Sequence, residues 1–111
     1  MTHYQLIFCS CPDQVTAETL ARLLLEEKCV ACVTILPAML SLYPWQGKIE
    51  SAQEYLMLIK SVQQNYARIE QLIQQHHPYE LPEIIAISIS DGLPAYLRWI
   101  DASTMMTTLA V

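Results

Sequence analysis

Between Lys28 and Lys48 the chain carries no charged side chain. This run of 19 residues, Cys29 to Gly47, constrains the fold more than any other feature of the 111-residue sequence. A membrane-spanning helix needs about 20 predominantly apolar residues, so length alone admits that reading. The residue types exclude it. Pro37 and Pro44 would break a helix, and Thr34, Ser41 and Gln46 are polar. Val30, Val33, Thr34 and Ile35 favour strand. The rest of the chain is also poor in charge: 53% of residues are hydrophobic and 15% are charged. Ordinary domains carry about 25% charged residues. A domain this short buries only roughly 60–65% of its surface on folding. Part of the apolar excess is therefore expected between subunits.

The same numbers exclude several functions. The chain is too apolar to be intrinsically disordered. Gly47 and Gly92 stand alone, so no glycine-rich loop can cradle a phosphate. The net charge is −5 with no run of Lys or Arg. A nucleic-acid groove needs a basic patch, so no nucleic-acid partner is expected. Met1-Thr2-His3-Tyr4-Gln5 lacks the basic start and apolar core of a secretory signal, and the expected address is the cytoplasm. The length points to a single domain over residues 1–111.

Residues 4–9 form an apolar run and read as a buried strand. Asp13 is placed to cap a helix that runs to about Lys28, burying Ala17, Leu20, Ala21 and Leu24. Strand character covers Val30 to Tyr43 with a break at Pro37, and a turn follows over Pro44-Trp45-Gln46-Gly47. A second long strand, Lys48 to about Lys60, completes a hairpin. Asn65 can cap a second helix whose apolar face holds Tyr66, Ile69, Leu72, Ile73 and His76. Ile85, Ile87 and Ile89 alternate with small residues in a last strand, Ile84 to Ser90. Pro94 opens a short third helix through Asp101. Little can be read from Ala102 to Val111.

The order strand, helix, strand, strand, helix, strand is the split βαβ pattern of ferredoxin-like α+β folds. It predicts a four-stranded antiparallel sheet with both main helices on one face. The first strand then neighbours the fourth, which brings Cys9 and Cys11 to the same end of the sheet as His76 and His77. The hairpin tip, with Tyr43 and Trp45, points to that end too.

Four cysteines could carry chemistry. Cys29 and Cys32 have the spacing of half a zinc site, but they enter a β-rich segment with no glycine turn. As small apolar residues they suit a core. Cys9 with His76 and His77 is the more informative set, because thiolate and imidazole together suit copper or zinc. Adjacent histidines diverge on a regular helix, yet can converge at a helix end just before Pro78. The alternatives are a core histidine at 76 and an exposed one, favoured by the helix dipole, at 77. Glu50, Glu54, Glu80 and Glu83 are not placed with a nucleophile, and no histidine has a serine or carboxylate partner of triad type. An enzyme is not expected.

The chain resembles the CutA family of divalent-cation tolerance proteins. The likeness rests on Cys11-Pro12-Asp13, Leu25-Glu26-Glu27-Lys28, Ala31 to Pro37, Ser41-Leu42-Tyr43, Trp45-Gln46-Gly47-Lys48, His76 to Ile84, and Tyr96-Leu97 with Trp99 to Ser103. The resemblance implies a cytoplasmic homotrimer of ferredoxin-like subunits, joined through the long hairpin, that binds copper and serves tolerance of metal ions. The copper ligands it implies fall on Cys9, His76 and His77. Cys11 offers a second thiol, which leaves open which sulfur binds. Gln46 and Pro44 depart from the family pattern, and Ala38 stands where glycine is common. If residue 38 needs positive φ, the local turn here must differ. A reading of another class is a small-molecule-sensing or partner-regulating trimer, with Tyr43, Trp45, Glu54, Tyr79 and Glu83 lining pockets between subunits.

Overall fold

The computed structural model describes residues 3–104. Its elements are β1 (Tyr4–Cys11), α1 (Gln14–Glu26), β2 (Cys32–Trp45), β3 (Lys48–Val62), α2 (Tyr66–His76), β4 (Ile84–Ser88) and α3 (Pro94–Ser103). The strands form one sheet in the order β2-β3-β1-β4, and every neighbouring pair is antiparallel. This is the ferredoxin-like α+β arrangement that the element order predicts.

One face of the sheet carries the main core. Ile7, Cys9 and Cys11 of β1 alternate inward and meet Met57 and Ile59 of β3. Ala17, Leu20, Ala21 and Leu24 of α1 and Ile69, Leu72 and Ile73 of α2 close over them. Asp13 caps α1 as expected, its carboxylate accepting from the Thr16 N–H at 2.8 Å. A smaller cluster of Ala31, Val62 and Ile100 anchors α3, with Tyr4 and Leu97 packed against it.

Four local expectations are corrected. Asn65 is not a side-chain cap. It is buried in a short 3-10 turn, Gln63–Asn65, and donates to the carbonyls of Cys29 and Thr104, both at 3.1 Å. The hairpin turn is the two residues Gln46 and Gly47, with φ of 49° and 80°, while Pro44 and Trp45 belong to β2. Two successive positive φ values mark a type I′ turn, whose twist matches that of the flanking strands. Residue 38 does take positive φ, at 52°, and it does so as alanine. It lies in a β-bulge, because Leu36 and Met39 pair with Leu56 and Glu54 and so two residues oppose one. Finally, Ile85 and Ile87, on the apolar face that the alternation marks, do not face the helices. Ile84 and Ala86 pack on the main core, whereas Ile85 and Ile87, opposite Phe8 and Leu6, are half-exposed on the other face.

Before Tyr55, β3 has no neighbour but β2 among the described residues, so the hairpin projects past the sheet as a two-stranded arm. From Leu40 to Gln53 no residue of it is buried. Its apolar side chains Leu40, Leu42, Trp45 and Ile49 stand open to solvent in the single chain. The fold thus sends an apolar ribbon outward from the end of the sheet where β1 finishes.

Candidate metal centre

The antiparallel pairing sets Cys9 opposite Ile84 on one side and opposite Met57 on the other. The end of β1 therefore lies beside the loop that joins α2 to β4, as the topology required. α2 stops at His76, and His77 turns to extended backbone with ψ of 139°. That turn swings the His77 ring inward over β1. The His77 backbone N–H still bonds the Ile73 carbonyl at 2.8 Å, which holds the corner in place.

Cys9, Cys11 and His77 form one buried group, with a ligand atom of each within 4.8 Å of the others. Both cysteines are fully buried, and His77 keeps 8% of its surface. The Cys11 sulfur lies 3.6 Å from the Met57 sulfur, and the Cys9 sulfur lies 3.8 Å from the Ser10 carbonyl. Proton sharing with Cys11, together with burial, pushes the Cys9 thiol far up. The same sharing draws Cys11 down, against its own burial.

The His77 ring is held at both edges. Its Nδ1 accepts the Tyr79 N–H at 3.1 Å, so its Nε2 is the protonated nitrogen and donates to the Ser10 carbonyl at 2.7 Å. An ion can take this imidazole only after one of those bonds is released. A hydrogen bond of this type contributes about 0.5–1.5 kcal/mol, well below what metal–ligand bonds supply. Around the group, Tyr79 donates to Glu54 at 2.8 Å and Ser10 to Glu83 at 2.9 Å. Burial first, then the Glu54 bond, raises the Tyr79 phenol.

His76 lies elsewhere. It is exposed, with Nδ1 2.9 Å from the Leu72 carbonyl, over a shallow hollow lined by Val15, Thr16 and Pro78. The burial of the two histidines is thus the reverse of the sequence alternatives. Cys29 and Cys32 do not meet. Cys29 is buried near the Leu24 carbonyl, and burial pushes its thiol up to about 11. Cys32 lies 3.9 Å from the Tyr96 hydroxyl. Met57 escaped the sequence reading, because one core methionine gives no signal until its cross-strand partner is known.

Fold and site together define the class: a ferredoxin-like α+β domain with soft and borderline metal-ligand atoms gathered at one end of its sheet. The family model described as CutA1 divalent ion tolerance protein matches residues 5–103. The chain belongs to this family. The divalent-cation tolerance protein CutA of Yersinia pestis (strain Pestoides F) is 41% identical over 99 residues, covering 89% of this chain and 83% of the relative. The crystal structure of CutA from Xylella fastidiosa superposes with a TM-score of 0.91 at 44% identity, over 94% of this chain and all of that one. A structure from Archaeoglobus fulgidus, described as a periplasmic divalent cation tolerance protein, superposes at 0.89 with 37% identity, over 92% of this chain and 99% of its own. Among the described residues, no helix is long and apolar enough to cross a membrane.

Proposed function

We propose that the chain is a cytoplasmic homotrimer that serves metal-ion tolerance by binding copper and other divalent cations at Cys9 and His77, with His76 recruited to them from the end of α2. The observation that carries this reading is the buried meeting of the Cys9 and Cys11 sulfurs and the His77 ring where β1 ends. Thiolate and imidazole suit copper and zinc. His76 follows the same corner in sequence and joins the ion when the last turn of α2 opens and its bond to Leu72 breaks.

The exposed apolar arm supports the assembly. An isolated two-stranded ribbon is marginal in water, and this one exposes Leu40, Leu42, Trp45 and Ile49. Covering it against other copies removes that cost. Ile85, Ile87, Tyr96 and Trp99 add further exposed apolar surface. Four free thiols agree with a reducing compartment. The ligand-sensing alternative is less favoured, because Glu54 and Glu83 are already engaged by Tyr79 and Ser10 of the same chain.

Light scattering is expected to give three times the chain mass, and a monomer would overturn the assembly. Titration with Cu(II) and Zn(II) is expected to saturate at one ion per chain. Cys9→Ser and the His76→Ala/His77→Ala double variant should both lose that binding. Unchanged stoichiometry in both would remove these residues from the site.

A further inference from the structure

We infer that Cys9, Cys11 and Met57 form a binding site for a soft monovalent ion, Cu(I), apart from any use of the histidines for divalent cations. The inference deepens the metal reading above and shares Cys9 with it.

Three sulfurs converge. Cys9 and Cys11 stand two residues apart on β1, so both leave the same face of the sheet. Met57 is directly opposite Cys9 in the β1–β3 register. Its thioether lies 3.6 Å from the Cys11 sulfur, and the two thiols and an imidazole nitrogen lie within 4.8 Å of one another. A metal–sulfur bond of about 2.3 Å puts two sulfurs about 4 Å apart in a trigonal plane and about 4.6 Å apart on a line. The ligand atoms are already gathered on that scale.

The donor set selects the ion. Thiolate and thioether are soft ligands and favour Cu(I), whereas carboxylate and water favour harder divalent ions. The carboxylates nearby, Glu54 and Glu83, are bonded to Tyr79 and Ser10 rather than turned to the sulfurs. Cys9, Cys11 and Met57 are all fully buried, which excludes water as a competing ligand. Of the four possible donors only His77 reaches the surface, so the ion enters past its ring. His77 keeps both of its hydrogen bonds if the sulfurs alone hold the ion.

The charges balance without electron transfer. Cu(I) enters and remains Cu(I). Cys9 and Cys11 each lose a thiol proton to solvent as their sulfur–copper bonds form. Met57 binds as a neutral donor, which leaves a complex of net charge −1.

The test is anaerobic titration of the full chain with Cu(I) against a chromophoric Cu(I) chelator. Ag(I) serves as a redox-inert stand-in, and Cu(II) and Zn(II) are titrated in parallel. Wild type is expected to take one Cu(I) per chain and to develop thiolate-to-copper absorption in the ultraviolet. Cys11→Ser should lower Cu(I) affinity by more than about 100-fold, beyond what loss of an outer-sphere partner costs, and Met57→Leu by about tenfold. Cys32→Ser, at a thiol that lies by Tyr96 outside the cluster, should leave Cu(I) affinity unchanged. Met57→Leu conserves core volume, so it remains informative if Cys11→Ser folds poorly. Wild-type Cu(I) affinity in both variants would overturn the inference. So would a wild type that takes Cu(II) or Zn(II) but no Cu(I), an outcome that leaves the divalent reading standing. Cu(I) binding that depends on Cys11, with no divalent binding at all, would do the reverse.

Discussion

Asn65 and Ser61 converge on one buried carbonyl, that of Cys29, and their joint removal should cost more than the sum of the separate removals. Ser61 donates to that oxygen from its hydroxyl, and Asn65 donates to it at 3.1 Å while also reaching the Thr104 carbonyl at 3.1 Å. All three polar residues are buried. The pair thereby ties the loop after α1 and the end of α3 to the end of β3. Ser61→Ala leaves Asn65 on the Cys29 oxygen and should cost about 1 kcal/mol, the net value of one hydrogen bond. Asn65→Ala loses two bonds and strips that donor from Thr104, for about 2–4 kcal/mol. In the double variant the Cys29 oxygen has neither donor, and a bare buried acceptor costs about 1–3 kcal/mol. The coupling should therefore be about 1 kcal/mol or more. Guanidinium unfolding of the four proteins measures it, at one fixed chain concentration because assembly would add to apparent stability. Additivity within about 0.5 kcal/mol would refute the shared-carbonyl argument.

Three further outcomes follow from the backbone and from Asp101. Ala38→Gly should stabilise the fold by about 0.5–1 kcal/mol in the same assay. Relief of the left-handed alanine, roughly 1–2 kcal/mol, outweighs the added freedom of glycine in the unfolded chain, about 0.4–1 kcal/mol. Gly47→Ala should destabilise by about 1 kcal/mol, and through conformation alone, since no atom lies within 4 Å of the added Cβ. The hydrogen bond from the Tyr4 hydroxyl, and then the bond to His3, hold the Asp101 carboxyl below its ordinary value. A lowered folded value means the contribution is complete above the unfolded value of 3.8 and is lost as pH falls through the folded one. Asp101→Asn should therefore flatten the acid limb of a stability-against-pH curve, and an unaltered limb would count against it.

Most of the architecture is legible in the sequence because each element announces its own buried face. Ala17, Leu20, Ala21 and Leu24 recur at helical spacing, and they are the residues α1 buries. The split βαβ order then fixes which strand ends meet, and so brings Cys9 toward the residues that follow α2. Where the reading failed, a single residue had two roles open to it. Asn65 can cap a helix or satisfy buried carbonyls, and only the approach of Cys29 and Thr104 selects the second. Ile85 and Ile87 alternate as read, but alternation cannot say which of two apolar faces receives the helices. Ile84 and Ala86 take that side, because Cys9 and Ile7 opposite them point there.

The sequence alone determined the element order, the long hairpin with its uncharged first strand, the cysteine near the end of β1 and the two histidines where α2 ends. These are properties of local periodicity and of chain order. Tertiary structure alone decided which histidine turns inward, because the choice rests on one backbone angle at the helix end, ψ of 139° at His77. It also decided that Cys11 and Met57 stand beside Cys9. Cys11 and Met57 are 46 positions apart in the chain, and their sulfurs approach to 3.6 Å only through the register of β1 on β3. Ligand type is written residue by residue, but ligand geometry is set by strand register and helix termination, which no local pattern encodes.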